Sequence, residues 1–279
     1  MDIKDLSGLG AYAPILHEFY KDMAQPAAKN MGLALGAITS FGLFLHLVSS
    51  WGTNRLNMCL KNNLEQYAER IKKIPPENIT EAPPEVAIPI IEKLSYVTNE
   101  ELTKLYIELL AKASIKDLNT QAHPSFVNII NNLSPDEATL LNKLESEDRS
   151  KFICLQIKLS DSKKQTSRRI SSYYSEFEQN SILTFEQNAP AYISNLIGLG
   201  IFQVSEQPLK QEKKYMRLAE SVNAQWQEIM NGLDEEELKY SKEFRSLQFK
   251  KGHILLTEFG HLFINAVNPP HIDMNEEPI

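Results

Sequence analysis

Chemistry in a protein chain starts with histidines, cysteines and paired acids, and this sequence places them far apart. Its six histidines are His17, His46, His123, His253, His261 and His271. None falls in an HExxH or HxH pattern, so no helical face offers two imidazoles to a catalytic metal. The two cysteines, Cys59 and Cys154, form no CxxC pair, which argues against a cysteine zinc site or a disulfide framework and for a reducing compartment. No GxSxG elbow marks an activated serine, and the glycines at 8–10 and 198–200 match neither a P-loop nor GxGxxG. Asp234-Glu235-Glu236-Glu237 suits the start of a helix, where the dipole favours acids, better than a cation site. The expectation is a protein that is not an enzyme and has no metal or cofactor.

One set of residues could bind rather than react. Lys163, Lys164, Arg168 and Arg169 lie close to Tyr173 and Tyr174, a pattern that can contact phosphates and stack on bases. A solvated polar loop explains the same residues. The formal net charge of -7 repels polyphosphate on average, so nucleic acid is the alternative partner here and not the first choice.

The strongest physical signal is an apolar tract. Residues 31 to 51 contain no Asp, Glu, Lys or Arg, and a bilayer core of ~30 Å needs about 20 helical residues. Ala28, Gly32, Gly36 and Ser40 recur every fourth position, a ridge of small side chains that lets another helix approach closely. Phe41, Phe44, His46 and Trp51 supply bulk, one titratable group and an interfacial aromatic. Three fates stay open: packing in a soluble bundle, membrane insertion, or self-association. Insertion would leave the C-terminal part in the cytoplasm, with Lys29 on one side and Arg55, Lys61 and Arg70 on the other.

The 279-residue length and 42% hydrophobic content allow one large or two ordinary folded domains. The acidic N-terminus lacks the positive start of a secretory signal, so the expected location is the cytoplasm, with the inner membrane as a site of association. Helical spacing predicts helices over 12–24, from Arg55 to Ile71, over 190–199, over 212–231 and over 258–267. Thr98 and Glu101 form a capping-box pattern for a helix running to about Lys116, and Ser134-Pro135-Asp136-Glu137 starts another over 135–146, after a shorter one from Pro124 to Asn132. Prolines 75, 76, 83, 84 and 89 predict an extended connector. Residues 152–159 and 201–206 read as strands, 161–179 as a polar loop or exposed helix, and 245–256 as two strands about a Lys251-Gly252 turn. The domain outline is an apolar helical region over 1–74, the connector over 75–89, a helical and winged-helix-like domain over 90–268, and a loose tail over 269–279. The fold class is mainly α with a smaller β component, α+β.

PSFVNIINNLSPDEATLLNKL (124–144), APAYISNLIGLGIF (189–202) and ILLTEFGHLFINAV (254–267) resemble the bacterial abortive-infection alpha family. Leu-Ser-Pro-x-Glu-Ala at 133–138 is the most specific piece and Leu-Thr-x-x-Gly-x-x-Phe at 256–263 the next, with Leu109-Leu110-Ala111 and His123–Phe126 beside them. The resemblance implies phage defence and brings no catalytic residues. The C-terminal order of elements is also similar to a winged helix with an inserted helix. Its 190–199 helix, however, offers Tyr192, Ser194 and Asn195 and no cation to a major groove. The expected partners are accordingly another protein or a second copy of the chain.

Overall fold

The structure, a computed structural model, describes residues 25–36, 54–146, 151–161, 166–179, 182–233 and 246–268. It divides into two compact units, Met1–Pro135 with Leu262–Ile279, and Asp136–His261. The expected helix over 12–24, the acid run 234–237 and the tail from 269 lie outside the described residues.

The first unit is helical: α1 (Gln25–Ala34), α2 (Asn54–Ile71), α3 (Pro84–Leu94), α4 (Glu100–Ala113) and α5 (Ser125–Asn131). In α2 the stripe Leu60, Leu64, Tyr67 and Ile71 is buried, and the helix packs on α1, α3 and α4. Two buried asparagines satisfy helix-end carbonyls that have no partner within their own helix. Asn30 donates its amide to Ile71 O at 3.0 Å and Ile74 O at 2.9 Å. Asn63 donates to Leu94 O at 2.7 Å and Val97 O at 3.0 Å. Ser114 donates to Leu110 O, so the Tyr67 hydroxyl, 2.7 Å away, donates to Ser114.

Two local expectations need correction. The α4 cap is Asn99, whose Oδ1 accepts the Leu102 amide at 3.1 Å, one residue beyond the Thr98 of the capping-box pattern. Residues 84–94 are helix and not an extended connector. Pro84 sits in the first turn, where its missing N–H costs nothing. Pro89 removes one interior hydrogen bond, but the buried face of Val86, Ala87, Ile90, Ile91 and Leu94 outweighs that loss. Of the expected connector over 75–89, Pro76–Asn78 form a 3-10 turn and only 79–83 are extended, where Ile79 bridges to Ile115.

The second unit is a four-stranded antiparallel sheet with helices. Its elements are α6 (Pro135–Ser146), β1 (Lys151–Asp161), β2 (Thr166–Ser175), α7 (Ala189–Gly198), β3 (Phe202–Ser205), α8 (Glu212–Gly232) and β4 (Ser246–Leu256), in strand order β2-β1-β4-β3. A last helix, α9 (Glu258–Val267), crosses the division between the units at His261. Together the elements make an α+β protein. On one sheet face Ile153, Leu155, Ile157 and Tyr174 pack against Tyr215, Leu218 and Val222 of α8. On the other, Phe152 meets Phe177 and Phe202 edge-on, with centroids 4.8 and 5.6 Å apart.

Both strand corrections fall in this unit. Most of the polar stretch 161–179, expected as a loop or exposed helix, is β2, an edge strand paired with β1, followed by a 3-10 turn at Glu176–Gln179. Two register irregularities, between the partners of Leu155 and Ile157 and between those of Ile157 and Lys158, break its alternation, so hydrophobic periodicity cannot report it. The Lys251-Gly252 turn does not exist: β4 runs straight through, with Gly252 opposite Cys154. The expected C-terminal hairpin is absent with it. Glycine is needed at 252 for close approach, since a Cβ there would sit 2.8 Å from Ser205 O.

Candidate functional site

The open half of the sheet carries a cleft of about 330 Å³. It is lined by Cys154 and Gln156 of β1, by Arg169, Ser172 and Tyr173 of β2, and by Lys250, Lys251 and Gly252 of β4, with Val204 to Glu206 at one rim. Pairing explains the convergence. Cys154 lies opposite Gly252, Gln156 opposite Lys250, and Lys158 opposite both Gln248 and Arg169, which puts these even-numbered β1 positions and their partners on one face. Adjacent tyrosines separate: Tyr174 is buried in the core under α8, while Tyr173 borders the cleft.

The cleft is cationic within an acidic chain. Lys250 pairs with Glu206 at 2.6 Å. The Lys250 ammonium, with Lys158 adding to it, holds the Glu206 carboxyl below its usual range. Among the described residues no acid pairs with Arg169 or Lys158. Lys251 is occupied, pairing with Glu212 and lying over the Tyr215 ring. Behind the wall, burial pushes the Cys154 thiol up to about 12, helped by the nearby Glu178 carboxylate, so Cys154 stays a neutral thiol. Burial also raises Glu178 to about 7, against hydrogen bonds from the Ser175 amide and hydroxyl at 2.8 and 2.9 Å. Its Oε1 is buried without a partner.

Of the sequence candidates for phosphate contact, the structure brings Arg169 to the cleft and leaves Arg168 exposed on the same strand; Lys163 and Lys164 lie outside the described residues. Sequence reasoning missed Gln156, Lys158, Lys250 and Glu206. The alternation in FICLQIKL marks the first two as one face, but Lys250 joins them only through a pairing across about ninety residues of chain. Of the tract candidates, Gly32 has open space where a side chain would project, and Gly36 lies near the Glu81 carboxylate. Ser40, Phe41, Phe44, His46 and Trp51 lie outside the described residues. No described helix is long and apolar enough to cross a membrane. Among the described residues no group of three or more His, Cys, Asp or Glu is placed to hold a metal ion.

The motifs that carry the sequence resemblance turn out to be joints. In Leu-Ser-Pro-Asp-Glu-Ala, the Asp136 carboxylate accepts the Thr184 and Phe185 amides at 2.8 and 2.9 Å and the Tyr192 hydroxyl at 2.9 Å. Burial pushes its pKa up, but those hydrogen bonds outweigh burial and hold it below the ordinary value. Glu137 accepts from Asn195 at 2.7 Å, so α7 is tied to the start of α6 twice over. In Leu-Thr-x-x-Gly-x-x-Phe, Thr257 Oγ1 caps α9 by accepting the Gly260 amide at 2.8 Å and donates to Gly200 O at 2.6 Å. Gly200 itself has φ +77°, a left-handed turn open to glycine. His123 Nδ1 accepts the Ser125 amide at 3.1 Å at the start of α5.

A helical unit and an antiparallel sheet unit, the latter held together by these motif contacts, give an α+β architecture. The chain belongs to the Abortive infection alpha family, whose model matches residues 59–267. No curated protein matches the sequence. Among solved structures, an uncharacterized protein from the hydrocarbon-degrading marine bacterium Alcanivorax borkumensis SK2 is similar at 14% identity and a TM-score of 0.31, over 54% of this chain and 94% of that one.

Proposed function

We propose that the protein serves abortive infection without catalysing a reaction, through association of its apolar N-terminal segment with a protein partner, with further copies or with the inner membrane. The supporting observation is the two-sidedness of α1 and the residues just after it. Asn30, Met31, Ala34 and Leu35 are buried, and Ala34 O accepts the Ala82 amide at 2.9 Å. Gly32 meets nothing, and Leu33 is 45% exposed. One side is thus fixed to the helical unit, and the side carrying Gly32 is left for another surface. The test uses flotation on inner-membrane-like vesicles and chemical crosslinking of the full-length protein, beside a variant whose apolar residues in 37–51 are made polar. Flotation or crosslinking that the variant loses is expected. A wild-type chain that stays unfloated and uncrosslinked overturns the proposal.

An alternative role is a regulator or adaptor that binds nucleic acid or another protein. Favouring it is the exposure of Arg168 and Arg169 on β2. Weighing against a winged-helix mode, in which α7 would enter a groove, Tyr192 and Asn195 are already engaged by Asp136 and Glu137. A salt-dependent shift of duplex DNA, weakened by R168A/R169A, is its signature.

A further inference from the structure

We infer that the cleft on the open sheet face binds a phosphate-bearing small molecule of mononucleotide size, with the phosphate held by Arg169 and Lys250, Lys158 adding positive charge just outside the lining, and the planar base set against Tyr173. This inference stands apart from the role given to the N-terminal segment.

Charge comes first. Three cations, Lys158, Arg169 and Lys250, share this face with one acid, Glu206, which pairs with Lys250 and feels Lys158 at longer range. A guanidinium without a carboxylate partner beside a lysine is the arrangement that takes a phosphate, bidentate at the planar fork and as a point charge at the ammonium. The chain's net charge of -7 makes the local concentration of cations the more specific.

Shape and the remaining lining then narrow the class. A volume of about 330 Å³ is at the small end of ligand pockets, suited to one nucleotide and too small to enclose an oligomer. Tyr173 supplies a ring on which a base can stack, and Gln156 and Ser172 supply donors and acceptors for its edge. The cations lie toward the Lys158–Arg169 end, while Cys154 and Gly252 form the less polar end. Such a gradient orients a ligand that is charged at one end and flat at the other. Glu206 makes the site adjustable, since an arriving phosphate competes with it for Lys250.

The test is titration of the full-length protein with fluorescently labelled AMP, with unlabelled AMP, inorganic phosphate and a twelve-nucleotide single strand as competitors. Saturable AMP binding is expected, weakened about tenfold or more by R169A and tightened several-fold by E206Q, which frees Lys250. Both changes are at the cleft's solvent-facing rim, so circular dichroism should show both variants folded. Competition by AMP well ahead of inorganic phosphate supports recognition of the base as well as the charge. Absence of AMP binding at millimolar concentration overturns the inference. So does equal affinity in R169A, equal competition by phosphate alone, or binding of the oligonucleotide without a saturable AMP site.

Discussion

Gly260→Ala probes how α9 is set on the sheet unit. A Cβ at 260 would stand 2.2 Å from Ile201 O, 3.1 Å from Ile201 C and 3.2 Å from Leu256 Cδ2. The obstacle is backbone, so no side-chain rotation relieves it. Relief requires the start of α9 to retreat by about 1 Å, the shortfall from ordinary carbon–oxygen contact. That retreat strains the Thr257 amide bond to Ile201 O, now 3.0 Å, and the Thr257 hydroxyl bond to Gly200 O. Overpacking costs about 1–3 kcal/mol and each weakened hydrogen bond about 1 kcal/mol, against a gain of about 1 kcal/mol from helix propensity. The net is a loss of roughly 2–4 kcal/mol, or on the order of 10 °C in Tm for a domain of this size. Differential scanning calorimetry measures it, with Gly198→Ala as control because nothing lies within 4 Å of its Cβ. The control should be neutral or slightly stabilising. A Gly260→Ala protein as stable as Gly198→Ala would refute the close-approach account.

Asp136→Ala removes the acceptor for two amides and a hydroxyl and should cost about 2–4 kcal/mol in urea unfolding, with local exchange protection lost around Thr184 and Phe185. Because its folded pKa is depressed, the stability Asp136 contributes is present above its ordinary value of 3.8 and lost as pH falls; the Ala variant should lack that acid-side loss. Glu178 behaves oppositely. Raised from 4.5 to about 7, it binds its proton more tightly when folded, so stability is full below pH 4.5 and falls by roughly 3 kcal/mol as pH rises through 7. Glu178→Gln should flatten the Tm profile between pH 5 and 8, and superimposable profiles would contradict the burial account. Asn63→Ala, which leaves the Leu94 and Val97 carbonyls with only the weak Cys59 thiol donor, should lower stability by about 1–3 kcal/mol in chemical denaturation.

Much of the helical framework was legible because its cause is local. The Leu60, Leu64, Tyr67, Ile71 stripe and the Ser-Pro-Asp-Glu start of α6 are read within one or two turns. Proline-rich 84–94 misled because local propensity was overridden by a buried face that only tertiary packing reveals. At Gly252 the sequence suggests a turn, yet the reason for glycine is a carbonyl from Ser205, a residue distant in the chain. The cleft was half visible. Arg169 and Tyr173 stood out by type, whereas Lys158 and Lys250 are ordinary strand lysines until the β1–β4 register sets them diagonally on one face. Nor could the motif residues be read as joints, since Asp136 finds its donors nearly fifty positions away.

The two irregularities in β2 each insert one residue relative to β1, and together they add two. From Ser167 to Ser175 the strand advances eight positions while β1, from Ser160 back to Cys154, advances six. Each irregularity absorbs its own extra residue: Tyr174 and Ser171 are three apart in β2, yet their partners Leu155 and Ile157 share the α8 side. A single-residue deletion at either irregularity would therefore restore plain alternation without moving Arg169 off its face or Tyr174 out of the core. Homologues should accordingly differ in length by single residues at these two places, each change made independently of the other.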